Sequence, residues 1–344
     1  MVWASMLRFM LYWLMMHAGD VFLGSDACLA NGTTRSFLCV GNKVQLMPYQ
    51  IPKNTTYVEI RLTQIIIFPR KAMSSLHDLK RIMVSENGVL QRIEAYAFAN
   101  LTKLEEMTIS NTGLKVLPDF SKVQSTAFEF LFDLEDNMHI ELIPSNAFAG
   151  LTSGTITELR LTKNGITDVD TNAFNGSRIE KLFLMGNQQL KRIHNYAFLG
   201  AEGPLVLDIS HTAISSLPEN MLRRLKLLIA KSVYTLRWLP NLEVFAELTQ
   251  ANFTYPSHCC AFKNFKKNKS TKNHLCNDST IRNQEPYFFE EHCKEVIESL
   301  FFHSPHCLQF PFQPKQLSRG HLCSEVLHPS LTHKPMHTAP TNVR

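Results

Sequence analysis

Cysteine is missing from the long middle of this 344-residue chain. Two cysteines stand near the start and six near the end, so the middle must hold itself together without disulfides, and bridges would instead staple the two ends. The candidates for bridging are Cys28, Cys39, Cys259, Cys260, Cys276 and Cys293. Cys307 and Cys323 complete the set, and the sequence leaves the partners of Cys259 and Cys260 open.

Motifs of catalysis and cofactor binding are also missing. The chain has no Gly-x-Ser-x-Gly, no Gly-rich phosphate loop and no His-Glu-x-x-His. Histidines near the C-terminus follow no metal-ligand spacing, and no basic stripe is interleaved with aromatics. We therefore expect no enzyme, no cofactor, no metal site, no small-molecule substrate and no nucleic-acid partner. The small formal net charge of +5 fits an acidic protein partner.

After residue 20, no apolar run reaches the roughly 18 residues that a membrane-spanning helix needs. The run Phe9–Met16 follows Arg8 and precedes small residues, which predicts a signal peptide over residues 1–24; the alternatives are a buried strand or an uncleaved anchor. Asn-x-Ser/Thr sequons support export through a glycosylating compartment, so the product is expected to be extracellular. They stand at Asn31, Asn54, Asn100, Asn175, Asn252, Asn268 and Asn277.

A pattern of Leu-x-x-Leu-x-Leu-x-x-Asn type fills the middle of the chain. Ile179, Leu182, Leu184 and Asn187 fit it fully, and a weak first copy reads Tyr57, Ile60, Leu62, Ile65. The last position recurs at 65, 87, 112, 137, 164, 187, 212 and 233, with spacings of 21 to 27 residues. Ala-Phe pairs ending at Phe98, Phe148, Phe174 and Phe198 repeat in step with it. This period is typical of leucine-rich repeats.

One such unit cannot bury its apolar face alone, so the units must stack. We predict an α/β-type repeat solenoid, a leucine-rich-repeat horseshoe with a concave parallel β-sheet and a disulfide-stapled cap and hinge. The predicted divisions are a signal peptide at 1–24, a cysteine cap at 25–55, repeats at 56–253, a hinge at 254–298 and a divergent tail at 299–344.

Strand alternation places the residues between the core leucines on the concave face. The candidate partner-binding residues of that face are Glu59, Arg61, Arg81, Glu106, Asp133, Glu135, Glu158, Arg160, Lys181, Phe183, Asp208 and Lys231, and Met83, Thr108, Leu131 and Ser210 also point outward. Mixed charge with aromatic and aliphatic groups suits a protein ligand. For any single residue, ordinary solvent exposure is an equally good interpretation.

The repeats end in Tyr255-Pro256-Ser257-His258-Cys259-Cys260-Ala261-Phe262. This run resembles the hinge start of the glycoprotein-hormone receptors, most of all the gonadotropin receptors. Further stretches that match over residues 28–298 are Ile109–Gly113, Lys163–Ile166, Ala173–Gly176 and Leu207–Ser210. The resemblance implies a heterodimeric cystine-knot gonadotropin as partner on the concave sheet, and a stimulatory G protein downstream of full-length members in the plasma membrane. It also implies a Cys276–Cys293 bridge.

Three departures qualify that resemblance. One repeat is missing by our count, because Ala97–Leu104 leads directly into a strand that usually comes one repeat later. Glu290 stands where the family carries a sulfated tyrosine, so Tyr287 is the substitute candidate, or else an unmodified hinge residue. Beyond about Ser299 the resemblance stops, which suggests a spliced, soluble or non-signalling variant. A matrix proteoglycan is the alternative class, although its four-cysteine cap is not matched by Cys28 and Cys39.

Overall fold

The computed structural model describes residues 27–255 and 257–258. These residues belong to one compact unit, and a second unit, Ser279–Arg344, lies outside the described part. The predicted signal peptide, most of the hinge and the tail therefore also lie outside it, and the division of the chain stays a prediction.

The strands described are short and numerous. In chain order they are β1 (Ala27–Asn31), β2 (Ser36–Val40), β3 (Tyr57–Arg61), β4 (Ile67–Phe68), β5 (Arg81–Asn87), β6 (Arg92–Ile93), β7 (Glu106–Thr112), β8 (Glu129–Glu135), β9 (Leu142–Ile143), β10 (Thr155–Arg160), β11 (Asp168–Val169), β12 (Ile179–Phe183), β13 (Arg192–Ile193), β14 (Val206–Asp208), β15 (Leu227–Ala230) and β16 (Gln250–Phe253). One helical turn, α1 (Glu219–Leu222), and a 3₁₀ turn, Leu242–Val244, complete the described elements.

Eleven of these strands form one long sheet in the order β1-β2-β3-β5-β7-β8-β10-β12-β14-β15-β16. From β2 onward each strand pairs in parallel with its neighbour, and only β1 runs antiparallel. The two-residue strands form small sheets of their own, β4-β6 and β13-β11-β9, each with one buried residue per strand. The apolar core lies between the two layers. This confirms the predicted leucine-rich-repeat solenoid.

The burial of the strands follows the predicted alternation. In β5, Ile82 and Val84 are buried, while Arg81 and Met83 face the other way, onto the concave face. β7 pairs with β5 from Arg81–Glu106 to Asn87–Thr112, so the sheet continues across the point where a repeat is missing by our count. A one-residue slip would turn every core side chain outward, so the hydrophobic pattern fixes the register.

The weak first repeat was predicted in the wrong frame. Val58 and Ile60 fill the core of β3, whereas Tyr57 faces the concave side and Leu62 is 41% exposed. Register with β5 places Val58 beside Ile82, so the frame is shifted by two residues and Thr63 takes the place of the turn asparagine. Tyr57 and Leu62 look like core anchors in the sequence, while the buried Thr63 does not.

Phenylalanines form a continuous stack along the inside of the solenoid. The predicted Phe98, Phe148, Phe174 and Phe198 are all buried, and Phe120 and Phe132 join them. Neighbouring ring centroids are 4.5 to 6.5 Å apart, in the range of favourable aromatic contacts. Phe120 fills the repeat that has no Ala-Phe pair, a substitution that the sequence pattern did not reveal.

Buried asparagines tie the turns of the central repeats to each other. Asn164 donates from Nδ2 to the carbonyl of Leu134 at 2.8 Å, and its Oδ1 accepts from the backbone N–H of Asn137 at 2.8 Å. Asn187 repeats this geometry one unit later, with Leu161 and Asn164. Because these backbone groups are inaccessible to water and have no strand partner, the side-chain amide supplies their hydrogen bonds. We call this chain of contacts, from Thr112 to Asn187, the asparagine ladder.

Two local features shape the ends and the centre of the sheet. At the N-terminal end, Cys28 and Cys39 are bonded to each other, which closes the β1–β2 hairpin. At the centre, the register of β10 on β8 shifts between Ile156 and Glu158, so Thr157 is an extra residue in the strand. Such a bulge increases local twist and redirects the side chains that follow it.

The asparagine ladder generates a stability prediction. Asn164→Ala removes the partners of one buried carbonyl and one buried N–H, which should lower the free energy of unfolding by roughly 2–4 kcal/mol. Denaturant unfolding of the purified chain measures it. The control is Asn195→Ala, at an exposed asparagine whose side chain has no hydrogen bond among the described residues. Equal losses from both variants would contradict the ladder's role.

Candidate functional site

The concave face consists of side chains in rows that run across the strands. One row, which we call the central row, contains in order Leu38, Glu59, Met83, Thr108, Asp133, Arg160, Phe183, Asp208, Ile229 and Asn252. A second row contains Tyr57, Arg81, Glu106, Leu131, Glu158, Lys181, Val206, Leu227 and Gln250. Neighbours in a row come from adjacent strands about 4.8 Å apart, so these rows form one continuous surface.

Asp133 occupies the middle of the central row and is largely enclosed. Its side chain is 16% exposed, and its Oδ2 lies 3.6 Å from Nη1 of Arg160. Its Oδ1 is buried and has no hydrogen-bond partner. Burial raises the pKa of Asp133 to about 6; Arg160 opposes the rise, and the negative charges of Glu135 and Glu106 add to it. An ionised carboxylate is therefore held here at a cost in free energy.

Arg160 connects two acidic residues because the bulge brings β10 into this register. Its guanidinium pairs with Asp133 and also donates from Nη2 to Oε2 of Glu158. The Lys181 Nζ lies 3.1 Å from the other oxygen of Glu158. Burial alone would raise the pKa of Glu158. The hydrogen bond from Lys181 and the charge of Arg160 nevertheless hold that pKa below its ordinary value. The centre of the face is thus a network of alternating charge.

The N-terminal part of the face is a smaller cluster. The hydroxyl of Tyr57 donates to Oε2 of Glu59 at 2.8 Å, and Arg81 lies over the Tyr57 ring at 5.5 Å. The Nε of Arg61 is 3.1 Å from Oε1 of Glu59, close enough for an ion pair but without hydrogen-bond geometry. Tyr57 belongs to this surface although the sequence placed it in the core.

Most of the predicted residues are therefore accessible on one surface. The exceptions are Asp208 and Ser210 at its C-terminal end, which are buried. Asp208 was expected to be exposed but is only 8% exposed, because its Oδ1 accepts from the backbone N–H of Ser210 at 2.8 Å. Ser210 is buried too, and its Oγ accepts from the N–H of Lys231. Lys231 is exposed and lies just after β15. Phe183 is half-buried, and Glu135 pairs with Lys163 at 2.9 Å.

The modification sites fall into two groups. Asn31, Asn54 and Asn100 are exposed, whereas Asn175 and Asn252 are half-buried. Asn268, Asn277, Tyr287, Cys259, Cys260, Cys276 and Cys293 lie outside the described residues. Within residues 27–258 no group of three metal-binding side chains is assembled. None of the helices in that same stretch is long and apolar enough to cross a bilayer.

Comparison with known families fits this architecture. The BspA-type leucine-rich repeat region matches residues 52–129 and 121–228 in six copies, just over half of the chain. The chain belongs to the leucine-rich-repeat family.

Several curated proteins that are similar to this chain are follicle-stimulating hormone receptors. That of Cairina moschata is 38% identical over 88% of this chain and 47% of its own length. Those of Notamacropus eugenii and Mesocricetus auratus are 41% and 39% identical over 76% and 77% of this chain, and 42% of their own lengths. The resemblance to a glycoprotein-hormone receptor ectodomain is confirmed. The chain spans less than half the length of these relatives.

The raised pKa of Asp133 predicts an unusual response to substitution. A carboxyl whose folded pKa lies above its unfolded value stabilises the fold at low pH, and that contribution is lost as the pH rises towards 6. Asparagine does not ionise, so Asp133→Asn should raise the free energy of unfolding at pH 7.4 by roughly 1–3 kcal/mol. The stabilisation by Asp133→Asn should vanish near pH 4, where the Asp133 carboxyl of the folded wild type is already neutral.

Thermal unfolding at the two pH values tests this prediction. The matched control is Asp168→Asn in the short strand β11, where the carboxylate pairs with Arg192 at 2.9 Å in an exposed site. That change should be neutral or slightly destabilising, by at most about 1 kcal/mol. Destabilisation by Asp133→Asn at pH 7.4 would contradict the conclusion that the ionised Asp133 carboxylate lowers the stability of the fold.

Proposed function

We propose that this chain is the hormone-binding leucine-rich-repeat region of a gonadotropin receptor of the follicle-stimulating hormone type. Its partner would be a heterodimeric cystine-knot hormone that docks on the concave face in the extracellular space. The observation that carries the proposal is the 38–41% identity to follicle-stimulating hormone receptors over three quarters or more of the chain. The region has no catalytic role in this proposal, and full-length receptors would pass the signal to a stimulatory G protein.

The geometry of Asp133 supports docking at the centre of the face. Its buried Oδ1 has no partner in the free chain, and the ionised form is costly there. A cationic side chain from a docked protein would complete its hydrogen bonding and offset that cost. Groups kept in such an unfavourable state are typical of binding and catalytic sites.

The subtype is the least constrained part of the proposal. The assignment rests on Asp136–Ile140 and on Cys276–Ser279, and a lutropin receptor is the second candidate. Equilibrium binding of the full chain to the two purified gonadotropins discriminates them, and immobilised collagen tests the matrix-protein alternative. Binding to collagen but to neither hormone would overturn the proposal.

Charge reversal on the concave face tests where the hormone docks. Lys181→Glu repels Glu158 and removes a cation from the network, so we expect slower association and a loss of about 1–3 kcal/mol in binding free energy. Lys191→Glu, beside the short strand β13, is the control and should change little. Surface plasmon resonance measures both, and equal effects would exclude the concave site.

Asp133→Asn separates binding from stability. We expect at least about a tenfold loss of hormone affinity at pH 7.4, because the carboxylate is lost from a desolvated charge pair. At pH 5.5 the wild-type carboxyl is largely protonated, so its affinity should approach that of the variant. Binding isotherms at both pH values test this, and a constant ratio would show that Asp133 does not contact the hormone as an anion.

A further inference from the structure

Two sequons lie within the long sheet itself, and they occupy its two end strands. Asn31 ends β1, and Asn252 lies in β16. The other described sequons, at Asn54, Asn100 and Asn175, lie outside the strands. The strands from β3 to β14, which carry the charge network, contain no sequon.

Both asparagines belong to the concave face. In β16, Ala251 and Phe253 are buried, so Asn252 points the opposite way, next to Ile229 in the central row. In β1, Cys28 points to the core, where it is bonded to Cys39. Asn31 is three residues further along the strand and therefore points to the opposite face, beside Ser36 of β2. Strand alternation therefore directs both amides to the surface proposed to bind hormone.

The amide nitrogens are available for modification. Asn31 is exposed, and only its Oδ1 is engaged, accepting hydrogen bonds from Thr33 and from the backbone N–H of Thr34. At Asn252 the Oδ1 is buried without a hydrogen-bond partner. The Nδ2 makes no hydrogen bond to the described residues and is not fully buried. The hydroxyl of Thr254 already bonds to the carbonyl of Ala230 and the N–H of Val233. Neither amide nitrogen is therefore tied up by a hydrogen bond that an attached N-glycan would break.

We infer that N-glycans on Asn31 and Asn252 bracket the concave face and confine a protein partner to the strands between them. This inference rests on the proposed function for the identity of the partner. Nine strands lie between β1 and β16, and the glycans would also cover β2 and β15, which are next to the strands that carry them. The remaining seven strands, β3, β5, β7, β8, β10, β12 and β14, span roughly 30 Å, with strands about 20 Å long. That area, on the order of 600 Å², is close to one side of a standard protein interface. Lys231, directly after β15, lies beyond this contact surface.

Glycopeptide mass spectrometry of the full chain secreted from mammalian cells is the first experiment. We expect both asparagines to carry glycans, and an unmodified site at either position would overturn the bracket. Hydroxyl-radical footprinting then tests shielding without any hormone. The double variant Asn31→Gln/Asn252→Gln should oxidise faster at Leu38 in β2 and Ile229 in β15, whereas Met83, inside the bracket, serves as an unchanged reference. Equal oxidation with and without the glycans would show that they do not cover the ends.

Moving a glycan inside the bracket gives the binding test. Thr108→Asn creates a sequon with Ser110 in the central row, and the glycan there should reduce gonadotropin affinity by about 100-fold or more. The matched control, Thr108→Asn/Ser110→Ala, has the same asparagine but no sequon, so the difference in affinity between the two variants measures the effect of the glycan alone. Met83→Asn and Arg160→Asn also create sequons, with Ser85 and Thr162, and extend the map.

Removing the native glycans should leave affinity within about threefold, since they lie outside the contact surface. A loss of more than about tenfold in Asn31→Gln or Asn252→Gln would overturn the bracket, as would full binding by the glycosylated Thr108→Asn form. Absence of gonadotropin binding in every form, with both glycans present and shielding observed, would instead reject the proposed function and leave the shielding intact.

Discussion

The fold depends on hydrogen bonds that no repeat can complete by itself. Along the asparagine ladder, from Thr112 to Asn187, buried backbone carbonyls and N–H groups at the turns receive their hydrogen bonds from the asparagine of the next repeat. Stability is therefore a property of adjacent pairs of repeats. The same bonds hold the central strands in register, because repeats tied to each other at their turns resist sliding. They therefore support the charge network that spreads over β8, β10 and β12.

The concave network itself lowers the stability of the chain that carries it. Asp133 is ionised at neutral pH in a place where burial disfavours its charge, and Arg160 is shared between two carboxylates. A surface selected for stability alone would carry a neutral residue at this position. The arrangement makes physical sense under the proposed function, in which the missing hydrogen-bond partner of Asp133 comes from another molecule.

Much of this architecture could be predicted from the sequence, because a period of 21 to 27 residues and strand alternation are both local signals. Ile82, Val84, Leu182 and Asn187 lie where the pattern placed them. The pattern failed where residue type and burial disagree: Thr63 is buried in place of an asparagine, and Leu62 is exposed in place of a core leucine. Asp208 lies in the central row as predicted, but it is buried and bonds to the backbone of Ser210, which alternation does not reveal. Alternation also cannot reveal which charges meet across strands, so the double pairing of Arg160, set by the bulge at Thr157, required the structure.

The hairpin at the N-terminal end has a consequence for how the protein avoids self-assembly. A parallel solenoid offers an open row of backbone donors and acceptors at its first strand, and a second copy could extend the stack there. Here β1 reverses direction and is locked to β2 by the Cys28–Cys39 bond, so the first described strand of the sheet is antiparallel to the repeats. A second copy that added its parallel repeats at this edge would meet a strand of the opposite direction. The cap therefore makes this edge a poorer template for parallel extension of the stack than a repeat strand would be.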